Sequence, residues 1–567
     1  MSQRPVPAVF CVLLAVAVGI GSRAAAANLH APASTTTGAS ALLERADSTR
    51  LGVVWTPATP PDSAVSELRR IARSGVDVLR VSRLPSDTVA ARADSLGLEL
   101  YVELPVAYVS ATDLSDALAG VDSTVKRLRG LGRRHRAITH VGLARGADTT
   151  VPTACNTLRR WTDRLQEGAA SLRTYYVTPF RSGPDRCADA VDQVLLDLRG
   201  HPAPVARWQE WRSEAPEVGL GAVGTWVRPS AGAGLRVPHS PERQARYLED
   251  VFSQLLDSTR SRPSTVFVSR WRDRASPRLA SRRYGLHDAS GSPRPAARVL
   301  RGVYTGAQRA FAFPRGPGPP AGPYGLVLVG WGLAALLGGL YAQNVFVRQT
   351  VVRYFAAPGF YRDALRDGHD LHPGANGLLL GIVATALGVT GACAARLAAL
   401  APATAHVLAA LPAYMQSVLG GAVERPLVAG GLLGSCALGV LLIWMGALVL
   451  VARRRSRFSF SQGLVLVVWP CWPVLLAVPP ALAAGPEAPL APSLFGLVLV
   501  GGGGLALVYG TGRILYDYWA VTDLSGGAVL LLGLLSPTAL VGALVLLLTT
   551  WYDVSVPFLW HLATLTS

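Results

Sequence analysis

The chain has 567 residues and a formal net charge of +18, carried almost wholly by arginine, since Lys126 is the only lysine. A mean hydropathy of +0.32 averages two unlike halves: charges are dense up to about residue 320, and long apolar runs follow. No basic face is interleaved with aromatic residues, which argues against a nucleic-acid partner, and no CxxC or Cys/His spacing suggests a metal or cofactor.

Residues 1–27 read as an export signal. Arg4 precedes an apolar run from Val9 to Ile20, and Ala24, Ala25 and Ala26 offer small residues for cleavage. The run is short for a membrane span, and an uncleaved anchor is the alternative. Either way the domain beyond the linker 28–50 faces the outside. Of six cysteines, Cys11 leaves with the signal and Cys393, Cys436 and Cys471 lie in apolar runs. Cys155 and Cys187 remain as an even pair in an oxidising compartment, which predicts one disulfide.

Residues 51–306 alternate short apolar strands with helical patterns, the signature of a parallel sheet with crossover helices. The predicted strands are Gly52–Trp55, Val76–Val81, Glu99–Glu103, Ile138–Leu143, Thr174–Thr178, Gln193–Leu198, Val218–Thr225 and Thr265–Ser269. Between them, Asp62 to Arg73 places Val65, Leu68, Ile71 and Ala72 on one helical face. Ser240-Pro241-Glu242 caps a further helix running to Leu256. Eight such units in about 255 residues predict a (β/α)8 TIM barrel.

Several segments resemble the glycoside hydrolases of the large retaining (β/α)8 clan. Gly75-Val76-Asp77-Val78-Leu79-Arg80-Val81 resembles that clan's second strand, with Arg80 in its usual place. Residues Ala93 to Leu98 and Tyr101 to Pro105 resemble the helix and strand that follow. Val268 to Asp273 resembles the eighth strand, whose Trp, here Trp271, floors the sugar site in that clan. Tyr284 to Ala296 resembles the closing segment, and is the most specific match. The resemblance covers residues 51–306 only.

The departures from this pattern concern catalysis. The clan's nucleophile sits in a Glu-x-Gly pattern ending strand seven, and its acid/base in an Asn-Glu pair ending strand four. The matching residues here are Ala222-Val223-Gly224 and Leu143-Ala144, so both carboxylates are replaced by methyl groups. A retaining mechanism needs one carboxylate as nucleophile and another as proton donor. The resemblance thus implies a degenerate scaffold. Glu103, Asp197 and Asp273 are the alternative acids near strand ends, with helix capping or pairing to arginine as the structural reading of each. Trp55, Arg80, Glu103, Asp197, Trp226 and Trp271 are the candidate sugar-binding residues, since aromatic faces stack on sugars and polar groups bond hydroxyls. Packing is the plainer role for the tryptophans.

A Pro/Gly-rich linker, 307–323, precedes six runs of spanning length: Tyr324–Val345, Gly377–Ala395, Leu427–Val451, Gly463–Ala484, Leu494–Tyr509 with its flanks, and Gly526–Thr549. Ala401–Leu419 reads as an external loop with a helical piece, and Arg513–Trp519 as an interfacial aromatic stretch. Arginines at 348, 353, 362 and 366, and at 453–455 and 457, place those loops in the cytoplasm, and hence the barrel and C-terminus outside. The runs themselves hold almost no ionisable residue, which argues against a pump or channel.

The sequence therefore predicts a bacterial inner-membrane protein, 324–567 forming an all-α six-span domain below an extracytoplasmic glycosidase-like barrel. The expected role is binding or sensing a glycan, or scaffolding an envelope complex, with the lipid bilayer, a glycan and envelope proteins as partners. Its first rival is an active tethered glycosidase using Glu103 and Asp197; its second is a transport component with an accessory barrel.

Overall fold

The computed structural model describes residues 49–566, apart from 58–60, 168–170, 216, 229–231, 258–261, 275–282, 318–323, 369–370, 401, 454–457, 484–501, 523 and 553. The predicted export signal and nearly all of the linker 28–50 lie outside the described residues.

Eight parallel strands close into a barrel in sequence order. They are β1 (Arg50–Trp55), β2 (Val78–Val81), β3 (Glu99–Glu103), β4 (Ile138–Arg145), β5 (Arg173–Thr178), β6 (Gln193–Asp197), β7 (Val218–Val223) and β8 (Thr265–Val268). Closure is made by β8 against β1, with Phe267 opposite Gly52. The helices are α1 (Pro61–Ala72), α2 (Asp87–Leu96), α3 (Leu114–Ala119), α4 (Asp122–Arg134), α5 (Pro152–Gln166), α6 (Pro204–Arg212), α7 (Pro241–Asp257) and α8 (Pro295–Tyr304). The predicted strand seven ran to Thr225, but β7 stops at Val223 because Gly224 turns with φ 150°.

The barrel interior explains the glycines in its strands. Val54, Val78, Tyr101, Tyr175, Val177, Leu195 and Phe267 form one buried cluster inside the wall. Tyr101 stacks on His140 with ring centroids 3.8 Å apart, and Tyr175 and Phe267 meet Tyr101 at 5.4 and 5.3 Å. Those rings fill the space that neighbouring strands leave empty. A Cβ on Gly52 would come within 2.6 Å of Phe267, and one on Gly142 within 2.7 Å of Tyr175. Outside the wall a second apolar layer joins strands to helices, with Leu68, Leu100, Val141, Leu158 and Leu220 fully buried. Tyr304 ties α8 back to β1 by donating to the Gly52 carbonyl at 2.9 Å.

Cys155 on α5 and Cys187 between β5 and β6 form a disulfide with Cα atoms 4.7 Å apart. Beside it, the buried Asp185 accepts from Tyr176, Thr178, Thr149 and the Cys187 backbone, which pins the loops after β4 and β5 together.

The second half is helical: α9 (Tyr324–Gln343), α10 (Val345–Ala356), α11 (Pro358–Asp367), α12 (Pro373–Leu400), α13 (Pro402–Ala410), α14 (Ala413–Glu424), α15 (Pro426–Arg453), α16 (Phe460–Val468), α17 (Pro473–Ala483), α18 (Gly502–Thr522), α19 (Gly526–Leu534), α20 (Pro537–Trp551) and α21 (Val556–Leu565). The expected count of six spans is not met. Among the described residues three helices are long and apolar enough to cross a bilayer, Gly325–Gln343, Pro373–Arg396 and Pro426–Arg453. Among the same residues at most five are reached if Phe460–Cys471 with Pro473–Ala483, bent by 43°, and Gly526–Leu534 with Pro537–Trp551, bent by 51°, each count as one. Proline is the cause, since Pro470, Pro473 and Pro537 cannot donate the backbone bond that would carry the helix straight through. Half of the expected span Leu494–Tyr509 lies outside the described residues; the other half belongs to α18.

One further reading is corrected here. Ala401–Leu419 is not a loop with one helical piece but two consecutive helices, α13 and most of α14. Arg513–Trp519, expected as an interfacial aromatic stretch, lies within α18 with Tyr516 and Trp519 half exposed, while Asp517 is fully buried and takes Arg362 Nε at 2.8 Å and Arg513 Nε at 2.9 Å on its two oxygens.

Loss of the disulfide in Cys155→Ser is expected to lower barrel stability by about 2–4 kcal/mol, through release of the loops it crosslinks. Denaturant unfolding of the full chain, with and without the substitution, checks this.

Candidate ligand site at the barrel mouth

The C-terminal ends of the strands converge on one mouth, and both alanines of the degenerate pattern lie there. Ala144 and Ala222 are each the penultimate residue of their strand, β4 and β7, and both are buried. Ala222 pairs with Asp197 across the β6–β7 ladder. A methyl group offers neither lone pair nor proton, so these positions are chemically inert.

The remaining acids are all held by arginine. Glu103, at the end of β3, faces Arg80 of β2 with Nε and Oε1 2.9 Å apart, and Arg145 of β4 stands 3.8 Å from its other oxygen. The Arg80–Glu103 contact is an ion contact without aligned hydrogen-bond geometry. Arg80 is itself 2% exposed and also donates to the Gly221 carbonyl. It fits because Gly221 has no side chain: a Cβ there would lie 3.0 Å from Arg80 Nη1.

Asp197 is clamped more tightly. Arg199 Nε and Nη2 reach its two oxygens at 2.7 and 2.6 Å, a planar fork on a carboxylate. Burial alone would raise the Asp197 pKa, but Arg199, with His406 and Arg80 beside it, more than reverses this and holds it below the usual carboxylate range. The group stays ionised at neutral pH. Asp273 has a structural task, accepting from the Gly285 backbone at 2.8 Å and from Arg294 Nη2 at 2.5 Å, which fixes the closing segment against β8.

The three tryptophans are turned to packing. Trp55 donates to Glu67 of α1 at 2.8 Å, within the layer between strands and helices. Trp226 stacks on His239 at 3.6 Å, and Trp271 lies against His287 at 4.3 Å. Arg80, Glu103 and Asp197 therefore come together at the mouth, whereas Trp55 stands apart from them on the helix side of the wall.

Helices of the second half sit on this mouth. Tyr108 and Phe180, from the loops after β3 and β5, share one apolar cluster with Ala403, Val407 and Leu408 of α13 and Phe558, Leu559 and Leu562 of α21. Tyr108 OH and His406 Nδ1 are 2.9 Å apart, and Arg199 Nη2 donates to the same hydroxyl at 3.3 Å. After β4, Thr150 Oγ1 lies 3.0 Å from His561 Nδ1, and Asp148 accepts at 3.3 Å from the same nitrogen. The Arg181 backbone donates to the Leu565 carbonyl at 3.2 Å. Asp197, Arg199, Tyr108 and His406 thus form one polar chain from barrel wall to helical half. Sequence reasoning missed Tyr108, Arg145, Arg199 and His406. Only Arg199 had a local signal, lying two residues beyond Asp197.

Among the described residues no group of three or more His, Cys, Asp or Glu side chains is arranged to hold a metal. No protein-family profile and no curated protein matches the chain. Solved structures similar to it include a GH2 beta-galacturonidase from Eisenbergiella tayi, at 16% identity and TM-score 0.41, over 46% of this chain and 52% of that one. A beta-glucuronidase from an uncultured Clostridium matches at 13% identity and TM-score 0.41, over 45% and 50%. A beta-D-glucuronidase of Dictyoglomus thermophilum matches at 14% and 0.39, over 46% and 51%. The chain spans about half the length of these enzymes and is distantly similar to GH2 glycosidases over that half.

Asp197→Asn leaves Arg199 without a counter-charge at a largely buried position. The full chain is expected to lose about 3 kcal/mol of stability, read as a lower unfolding midpoint in denaturant.

Proposed function

We propose that this chain is a membrane-anchored protein whose glycosidase-like barrel hydrolyses nothing, and which binds or senses a glycan or holds an envelope complex together outside the cytoplasm. The observation that carries this reading is the state of the acids at the mouth. Ala144 and Ala222 stand where the retaining pattern has its carboxylates, and Glu103, Asp197 and Asp273 are each engaged by arginine. A general acid needs a raised pKa so that it carries a proton at neutral pH. Asp197 is shifted the other way. The rival reading, an active glycosidase on Glu103 and Asp197, therefore has no proton donor in Asp197.

Membrane anchoring is supported by the bare apolar surface of the second half. Leu328 and Trp331 on α9 and Ile443 and Leu450 on α15 are 64–74% exposed, large apolar side chains that lipid accommodates better than water. The orientation is supported from two sides. Arginine-rich segments of the sequence lie at 348–366 and 453–457, and the two segments assigned outside, α13 and α21, are ones that touch the barrel. The transport reading draws only on Asp517, whose two arginine partners make it a closed packing element.

Two measurements test the proposal. Purified full chain is expected to show no turnover on aryl glycosides or oligosaccharides; reproducible hydrolysis abolished by Glu103→Gln would overturn the non-catalytic reading. A reporter fused after Arg457 is expected to behave as cytoplasmic and one at the C-terminus as external, and the reverse pattern would refute the topology.

A further inference from the structure

The mouth has more cationic donors than its own acids can satisfy. Arg80, Arg145 and Arg199 gather around Glu103 and Asp197, with Arg145 set over the Tyr108 ring at 5.8 Å and Arg199 bonded to the Tyr108 hydroxyl. Arg270 follows β8 at the same end of the barrel, half-buried, and among the described residues its guanidinium has no ion-pair partner. Burial, with Arg274, Arg199 and Arg145 nearby, pushes its pKa down to about 9. Besides Arg80 Nε, which faces Glu103, four buried donors at this end have no hydrogen-bond acceptor among the described residues: Arg145 Nε, Arg270 Nε, Ser269 Oγ and the Tyr175 hydroxyl.

Water would satisfy the donors but not the charge. The sequence around β8 cannot supply the missing anion either, because residues 270–283 hold six arginines and one acid, Asp273, which Arg294 already takes. Crowded guanidinium groups repel one another unless an anion lies between them, and a bidentate oxyanion is the partner that their planar forks fit. Tyr175 and Ser269 add neutral donors beside them, suited to further oxygens of the same ligand.

We infer that the barrel mouth binds a sugar carrying an oxyanion, a carboxylate or a phosphate, held by Arg145 and Arg270 with Tyr175 and Ser269 as neutral donors. This rests on reading the mouth as a glycan site, and it names the class of glycan: acidic rather than neutral. The aromatic rings that would stack a neutral sugar are already occupied by His239 and His287. Recognition through charge needs no open ring face.

The test uses the full chain in detergent, titrated calorimetrically at low ionic strength with glucuronate, glucose 6-phosphate and glucose, three ligands on one ring scaffold. Both anions are expected to bind at least about tenfold more tightly than glucose, the worth of one charge-assisted hydrogen bond. Arg270→Gln and Arg145→Gln should each remove most of that advantage while the circular dichroism spectrum is unchanged. If one variant fails to fold, the other decides. Equal affinity for all three ligands overturns the inference, as does an advantage that survives in the folded variants, since it would then reflect the general positive charge of the chain. Hydrolysis observed together with intact anion selectivity would overturn only the non-catalytic reading.

Discussion

A carboxylate with 3% of its surface exposed has to be met by a positive charge where it stands, and at Asp197 that charge is Arg199. The clamp has consequences in both directions. Toward the barrel it keeps Asp197 ionised and both its oxygens occupied, so the one acid placed opposite Ala222 is closed to proton transfer. Toward the helical half it fixes Arg199, which bonds Tyr108, which reaches His406 on α13. The apolar cluster around Tyr108, Phe180, Val407 and Leu562 forms next to this polar chain. In catalytic barrels of this architecture the mouth is where chemistry is done. Here a good part of it serves to seat the barrel on its own helices.

The same rule operates in the helical half. Asp517 is fully buried, and it persists because Arg362 from α11 and Arg513 from its own helix share its two oxygens. Trp469 donates to Asn376 and Tyr518 to the Leu448 carbonyl, so these buried polar groups are paired across the helices. Closeness between α12 and α15 comes from Gly388, Gly430 and Gly434: a Cβ on Gly430 would lie 3.2 Å from the Gly388 carbonyl. The barrel mouth and the helical half are thus joined by one polar network through Arg199, Tyr108 and His406.

What the sequence made legible was set by locality. Strand positions were readable because both faces of each strand are buried, leaving short apolar runs between helical patterns. The place of Arg80 was visible from a motif, and the alanines at 144 and 222 could be placed near the strand ends. Partners were not visible. Asp197 was noticed without Arg199: the two-residue spacing was the local signal, but it becomes a clamp only because β6 ends at Asp197. Asp273 looked like a candidate acid, yet it closes on Arg294, 21 residues later. Tyr108 and His406 are separated by 298 residues, and Asp148 and His561 by 413, distances over which no pattern can act. The span count erred for a different reason: a window of hydropathy registers apolar length and is blind to prolines such as Pro470 and Pro537, which bend the run partway.

The seating of the barrel on its helices is the claim on which the account depends, and the Tyr108–His406 contact measures it most directly. A double-mutant cycle with Tyr108→Phe and His406→Ala, read from unfolding of the full chain in a fixed detergent, gives the coupling between the two halves. The account predicts a coupling of about 0.5–3 kcal/mol, the range for residues in contact within one hydrogen-bond network. Strictly additive effects of the two substitutions would contradict it, and would mean that barrel and helices fold without meeting at the mouth.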